Sequence, residues 1–259
     1  MTHQDILLEI QGPVAVIRLN RAAKRNALSD GLILGLRELF EKELPETGVR
    51  AAVLDGAGEH FCAGLDLSEL KDRDAGQGLH HSRMWHAALE QVQYGPVPVV
   101  AALHGAVVGG GLELASACHI RVADATTFYA LPEGSRGIFV GGGGAVRIPR
   151  LIGTARMTDM MLTGRVYQAE EGERAGFAQY LVPAGEAFAK AVELARRVAQ
   201  NAPLTNFALM HALPRIAEQP ADQGFLTEAL MAAIAQSAPE AKQRVRDFLE
   251  GRAAKVGKS

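Results

Sequence analysis

The chain has 259 residues, 48% of them hydrophobic and 22% charged, which is typical of a globular protein with one well-packed core. Its net charge of −2 leaves no basic excess to neutralise phosphates, and this argues against nucleic acid as a partner. The two cysteines, Cys62 and Cys118, have no metal-ligand spacing, so no metal site is predicted and a reduced, cytoplasmic compartment is expected.

The first elements form a hairpin followed by a helix and a strand. Residues 6–10 and 14–19 are apolar runs on either side of Gly12-Pro13, which predicts two strands joined by a turn. Ser29 precedes a segment with leucines on one helical face, so it is a predicted N-cap. Residues 51–54 are then predicted to form a short buried strand.

The middle of the chain repeats the order strand, loop, helix. Residues 67–78 are polar and are predicted to form a mobile surface loop, followed by a helix near 79–93 and a strand at Val99–Leu103. This order is typical of an α/β sheet, in which ligand-binding loops follow the strands.

The C-terminal part has a different character from about residue 186. Glycine becomes rare and alanine common, which predicts successive helices. Residues 237–240 read as a capping box and Gly251 as a helix stop. The predicted organisation is therefore an α/β core at 1–185 and a helical lobe at 186–259.

No membrane segment is expected. The N-terminus lacks a basic stretch followed by an apolar core, so no signal peptide is predicted. The most apolar region, about residues 96–118, contains Pro98, His104 and Glu113. These residues make a bilayer span unfavourable.

Two glycine-containing loops are the sequence features that indicate a function. One is residues 60–67, with Gly64, and the other is residues 109–114, with three successive glycines. Glycine lets backbone N–H groups approach a ligand closely, and a helix start adds positive dipole. Two such loops facing each other would present two N–H donors to one oxygen, which is an oxyanion hole.

These residues resemble the crotonase superfamily, the enoyl-CoA hydratases and isomerases. The similarity covers nearly the whole chain, and its further motifs are Leu19-Asn20-Arg21, residues 24–28, Ala123-Asp124, Leu131-Pro132-Glu133, residues 141–144, Leu162-Thr163-Gly164 and Ala175-Gly176.

The resemblance implies a crotonase-like spiral of ββα units with a C-terminal α-helical lobe used in trimerisation. It implies a homotrimer or a dimer of trimers that acts on an acyl-CoA thioester. No cofactor is implied, because CoA is part of the substrate.

The resemblance also assigns roles to residues. The N–H groups of Leu65 and Gly110 fall on the oxyanion hole for the thioester carbonyl. Glu113 matches the glutamate that orients and deprotonates water, and Glu133 matches the one that protonates the α-carbon. Gly141 matches the residue whose N–H contacts that water. The implied reaction is the addition of water to a 2-enoyl-CoA.

Contacts to CoA are implied for Lys24 and Arg25, beside the phosphates, and for the carbonyl of Ala63, on the adenine amino group. The sequence departs from the family in three places. Leu65 stands where a small residue is often found. Ser68 stands where some hydratases carry a lysine directed at the cofactor, and Val140 stands where hydratases usually have proline.

Other outcomes remain open at this point. The same enolate site serves a hydroxycinnamoyl-CoA hydratase-lyase or an enoyl-CoA isomerase. Retention of Glu113 favours hydration over isomerisation, which needs Glu133 alone. A non-catalytic acyl-CoA-binding protein is the alternative of another class, and loss of either glutamate would have supported it.

Overall fold

The structure is a computed structural model that describes residues 4–69 and 73–252. The part of the predicted 67–78 loop at residues 70–72 lies outside the described residues. The strands are β1 (Ile6–Gln11), β2 (Val14–Leu19), β3 (Ala51–Gly56), β4 (Val99–Leu103), β5 (Ala106–Val108), β6 (Ile120–Asp124), β7 (Phe128–Ala130), β8 (Tyr167–Gln168) and β9 (Tyr180–Val182).

Helices fill most of the remaining chain. They are α1 (Asp30–Glu38), α2 (Leu44–Thr47), α3 (Ala75–Gln93), α4 (Gly110–Ala117), α5 (Gly144–Ile152), α6 (Thr154–Thr163), α7 (Ala169–Ala175), α8 (Ala187–Val198), α9 (Pro203–Phe207), α10 (Leu213–Ile216), α11 (Ala221–Ser237) and α12 (Pro239–Leu249). Single π-helical segments, Leu39–Glu43 and Ala208–Ala212, connect α1 to α2 and α9 to α10.

Two sheets organise the first part of the chain. The larger has the strand order β1-β2-β3-β4-β6-β9, with β1 antiparallel to β2 and the other pairs parallel. The smaller has the order β5-β7-β8. The predicted α/β class and the hairpin at 6–19 are confirmed.

The larger sheet buries both of its faces. One face packs against α8, where alanines such as Ala191 and Ala195 meet Val53, Val100 and Val122. Small side chains let this helix lie close to the strands. The other face belongs to the main core, which also includes Phe40, Leu54, Phe61 and Trp85. Burial on both faces explains why these strands are continuous apolar runs.

The chain divides into two compact units, Met1–Ala199 and Gln200–Ser259. The sequence prediction places the boundary one helix earlier, before α8, which contacts β3, β4 and β6. The second unit consists of α9 to α12 among the described residues.

The helix caps test the local predictions. Ser29 caps α1, and its side chain accepts a hydrogen bond from Leu32 N–H at 3.1 Å, as predicted. The capping box at residues 237–240 is wrong, because Ser237 Oγ donates to the Ile234 carbonyl and the N-cap of α12 is Ala238.

The structure instead has a capping box at Asp74 and Gln77, and it starts α3 at Ala75. The predicted loop at residues 75–78 is therefore wrong. Its glycines suggested a loop, but the reciprocal Asp74–Gln77 hydrogen bonds satisfy the first N–H groups of the helix.

Candidate active site

The two glycine-containing loops lie side by side. Residues 62–66 lie between the β5 strand, through a Cys62–Val107 bridge, and the segment before α1, through a Leu28–Leu65 bridge. Leu28 N–H donates to Gly64 O at 2.7 Å, and Asp66 N–H donates to Leu28 O at 2.9 Å. Backbone pairing on both sides therefore holds the Leu65 amide in a defined orientation.

The amides of Leu65 and Gly110 are neighbours. A Cβ placed on Gly110 would lie 3.4 Å from the Leu65 nitrogen, and one placed on Gly64 would lie 3.3 Å from the Gly110 nitrogen. Gly110 is the first residue of α4, so its N–H has no acceptor in the helix. Neither amide donates to an acceptor among the described residues. The structure thus brings together the two donors predicted from sequence.

Glu113 lies in the first turn of α4 and is 3% exposed. Its Oε1 accepts hydrogen bonds from the N–H groups of Gly142 and Gly144, both at 2.8 Å. Gly144 begins α5, so a helix N-terminus also faces this carboxylate. The backbone fixes one oxygen of Glu113 and leaves Oε2 for other partners.

The loop that holds Glu113 is itself held by side chains. Arg147 Nη1 donates to Gly142 O at 3.0 Å and Arg147 Nε donates to Gln93 Oε1 at 2.6 Å. Ser82 Oγ donates to Gly141 O at 2.5 Å. These bonds connect the loop to α3 and fix the direction of its N–H groups.

Glu133 follows β7 and is also buried, at 8% exposure. A Cβ on Gly109 would lie 2.7 Å from Glu133 Oε1, so the carboxyl group lies directly against the backbone of the glycine loop. Gly109 has a φ of +52°, a conformation that also favours glycine. Glu133 Oε2 has no hydrogen-bond partner among the described residues, which leaves it available to a bound molecule.

Burial dominates the electrostatics of both carboxyl groups. It raises the pKa of Glu113, while the N–H groups of Gly144 and Gly142 and the Arg147 guanidinium act in the opposite direction. Burial also raises the pKa of Glu133 to about 7, and the charge of Glu113 adds to that increase. Because the negative charges of two neighbouring carboxylates repel each other, the pair is suited to holding one proton.

Both glutamates line one cavity of about 490 Å³. The cavity is lined by the two amides, the two carboxyl groups, one face of α3 and several apolar side chains. The lining residues are Leu65, Arg73, Gly78, His81, Ser82, Trp85, Gly110, Glu113, Glu133, Ile138, Phe139, Val140, Gly141 and Gly142. Trp85 is buried and belongs both to this wall and to the core.

The residues predicted to contact CoA lie next to residues 62–66, the loop that carries the Leu65 amide. Ala63 N–H donates to Arg25 O at 2.9 Å, which joins the two segments. Lys24 Nζ contacts Asp66 Oδ2 at 2.9 Å and is half exposed. Hydrogen bonds from Ser68 and Lys24 hold the pKa of Asp66 well below its usual range. Lys24, Arg25 and Ala63 are thus grouped outside the cavity that holds the glutamates.

Sequence reasoning missed several of these contacts. It singled out Gly141, whose N–H also lowers the pKa of Glu113, but the hydrogen bonds to Glu113 come from Gly142 and Gly144. The run of four glycines was a signal for the loop, but it did not say which N–H groups point inward. Arg147 was not among the predicted site residues, and its bonds to Gln93 and to Gly142 of this loop show that it supports the site.

The profile of the enoyl-CoA hydratase/isomerase family matches residues 9–258. The chain belongs to this family. EchA19, an enoyl-CoA hydratase of Mycobacterium tuberculosis, is 29% identical over 96% of this chain and 95% of its own. The short-chain-enoyl-CoA hydratase of Clostridium acetobutylicum is 29% identical over 97% of each chain.

A solved structure from the same family is similar to this chain at a higher sequence identity. The crystal structure of a candidate enoyl-CoA hydratase from Rhodopseudomonas palustris CGA009 has a TM-score of 0.92 and 60% identity over 97% of each chain. The predicted crotonase-like fold and the predicted family are both confirmed.

No helix at 4–69 or 73–252 combines the length and the apolar character that crossing a bilayer requires. Within the same ranges, no three histidine, cysteine or acidic side chains form a metal-binding group.

Proposed function

We propose that this protein is an enoyl-CoA hydratase, which adds water across the double bond of a 2-enoyl-CoA thioester. The observation that carries the proposal is the placement of two buried carboxyls and two backbone amides around one cavity. The full-length relatives named enoyl-CoA hydratases support it.

The first step concerns the thioester carbonyl. Its oxygen accepts hydrogen bonds from Leu65 N–H and Gly110 N–H and gains negative charge as C3 is attacked. Each pre-aimed donor stabilises the developing enolate by about 3 kcal/mol. Neither amide needs to reorganise, because strand pairing and the helix start already fix them.

The second step concerns the protons. Glu113 takes a proton from water as the water oxygen bonds to C3, and the C2–C3 π electrons move towards the carbonyl oxygen. The enolate then collapses and C2 takes the proton of Glu133. Glu133 with a pKa of about 7 is a competent acid near neutral pH. Return of a proton from Glu113 to Glu133 completes the cycle.

The CoA moiety of the substrate binds beside the two glutamates and the two amides. Lys24 and Arg25 contact CoA phosphates, and the Ala63 carbonyl accepts from the adenine amino group. The grouping of these residues beside the loop of residues 62–66 supports this assignment. The reaction needs no cofactor besides the CoA of the substrate.

Assembly as a homotrimer, or as a dimer of trimers, is part of the same proposal. The C-terminal unit exposes large apolar side chains, among them Phe225, Leu226 and Leu230 of α11, and a surface of this kind favours self-association. Light scattering on purified protein measures the mass directly. We assign the protein to the cytoplasm, which its two buried, free cysteines support.

The test is an assay of the hydration of crotonyl-, decenoyl- and feruloyl-CoA. The reaction is monitored by the loss of the enoyl absorbance, and the products are identified by mass spectrometry. Glu113→Gln and Glu133→Gln are expected to lower kcat at least a hundredfold, while Glu46→Gln, at an exposed position of α2, leaves it unchanged. Aldehyde and acetyl-CoA from feruloyl-CoA would instead identify a hydratase-lyase. Turnover only of a 3-enoyl-CoA would identify an isomerase, and binding without turnover a non-catalytic protein.

A further inference from the structure

A cluster of three ionisable side chains, Arg73, His81 and Asp30, lies at the wall of the cavity and is not used by the hydration step. Arg73 Nη2 donates to Asp30 Oδ2 at 3.3 Å, and His81 Nε2 donates to Asp30 Oδ1 at 2.7 Å. Arg73 and His81 both line the cavity. Their side chains are 20% and 19% exposed and that of Asp30 is 35% exposed, so the cluster is partly shielded from solvent.

The cluster is separated from the reacting centre along α3. Gly78, His81, Ser82 and Trp85 share the helix face that lines the cavity. The Trp85 ring touches the centre, since a Cβ on either Gly110 or Gly142 would lie 3.0 Å from it. At 1.5 Å per residue, His81 lies about 6 Å nearer the helix N-terminus than Trp85.

Arg73 lies further in the same direction, because it precedes Asp74, the N-cap of α3. Its guanidinium nevertheless lies close to His81, because both side chains bond to Asp30. The cluster therefore lies about one helical turn beyond Trp85, which is beside the amides that hold the thioester carbonyl. A short acyl chain that starts at those amides and follows α3 would reach it.

Arg73 is the member of the cluster with hydrogen-bond donors left over for the cavity. Each oxygen of Asp30 already accepts one hydrogen bond, from His81 or from Arg73. A guanidinium has five N–H donors, and Arg73 gives one of its terminal nitrogens to Asp30 among the described residues. Its other N–H groups call for an oxygen acceptor.

A purely aliphatic chain would displace the water that is hydrogen-bonded to these N–H groups and offer them no acceptor in its place, which is unfavourable. A carboxylate is the acceptor whose geometry and charge match a guanidinium best. We propose that Arg73 binds a carboxylate at the far end of the acyl group, so that the substrate is the 2-enoyl-CoA thioester of a dicarboxylic acid. This inference rests on the proposed hydratase function, whose site supplies the other end of the substrate.

The test uses saturated thioesters, which bind but cannot be hydrated. Calorimetry compares glutaryl- and adipyl-CoA with pentanoyl- and hexanoyl-CoA, which match them in chain length but end in a methyl group. The wild-type protein is expected to bind the better carboxylated thioester at least about tenfold more tightly than its methyl-ended counterpart, as one charge-assisted contact permits.

Two variants locate the effect. Arg73→Leu is expected to abolish the preference while binding hexanoyl-CoA as well as the wild type does. Arg83→Leu is the matched control, because Arg83 is an exposed residue of the same helix outside the cavity lining, and it should keep the preference. Urea unfolding with the wild-type midpoint shows that both variants are folded.

Equal or tighter binding of the methyl-ended thioesters by the wild type would overturn the proposal. So would an Arg73→Leu variant that binds both kinds of thioester equally weakly, since Arg73 would then contact the CoA moiety. The outcome is separate from the proposed function. A protein that prefers the carboxylated thioesters but hydrates no 2-enoyl-CoA would contradict the hydratase assignment and leave the carboxylate site standing.

Discussion

Replacing Gly144 with alanine should displace the Glu113 carboxylate without removing any polar group. A Cβ at this position would lie 2.7 Å from Cγ and 2.8 Å from Oε1 of Glu113. Ordinary contacts of a Cβ begin at 3.4 Å, so the Glu113 side chain or the start of α5 must move by 3.4 − 2.7 = 0.7 Å. The same movement disturbs the 2.8 Å hydrogen bond from Gly144 N–H to Oε1.

A shift of this size should lower both the rate of catalysis and the stability of the fold. Displacing a reacting group by about 1 Å costs on the order of a hundredfold in rate, so kcat should fall by roughly ten- to a hundredfold. The overpacked contact should lower the free energy of unfolding by about 1–3 kcal/mol. Alanine's higher helix propensity offsets part of that loss.

The assay is steady-state hydration of crotonyl-CoA together with urea unfolding. Gly31→Ala is the matched control, because Gly31 also lies in a first helical turn and a Cβ there meets only Ser29 Oγ, at 3.9 Å. Its kcat should stay at the wild-type value. If Gly144→Ala retains kcat within twofold of the wild type, the position of the Glu113 carboxylate does not limit the reaction and the role given to it is incorrect.

Three further predictions concern stability and reactivity. The pKa of Glu133 is about 7 in the folded protein against an ordinary 4.5, so ionised Glu133 destabilises the fold above pH 7. Glu133→Gln should therefore raise the free energy of unfolding there by up to about 3 kcal/mol. The gain should vanish as the pH falls towards 4.5, and a gain independent of pH, or an equal one in Glu46→Gln, would contradict the stated cause. Ser29→Ala should cost about 1 kcal/mol in urea unfolding because it removes the cap of α1, whereas Ser237→Ala, which removes no cap, should cost less; equal losses would refute this. Burial raises the pKa of Cys62 to about 12, so a thiol reagent should label it only after denaturation, and rapid labelling of the native protein would show that the thiol is accessible.

Local patterns predicted much of the fold correctly. Short stretches of sequence predicted the hairpin, the cap at Ser29 and the buried strand from Ala51. These elements depend on apolar runs, turn residues and one hydroxyl group. Prediction failed where two local signals competed. At residues 75–78, glycines suggested a loop, but the capping pair Asp74–Gln77 prevailed.

The family resemblance went further than these patterns could. It marked Leu65, Gly110, Glu113 and Glu133 before any geometry was available, and the structure places all four around one cavity. Their roles remain predictions that the substitutions above test.

Periodicity, turn chemistry and the motif residues were enough to establish an α/β chain of this family, because each depends on residues close together in sequence. The site depends on separations that no local rule reaches. Glu113 receives its hydrogen bonds from a loop about thirty residues later, and Arg73 meets Asp30 across more than forty. Only the packing of the helices over the sheet brings these groups together, and burial in that packing is what raises the pKa of both glutamates.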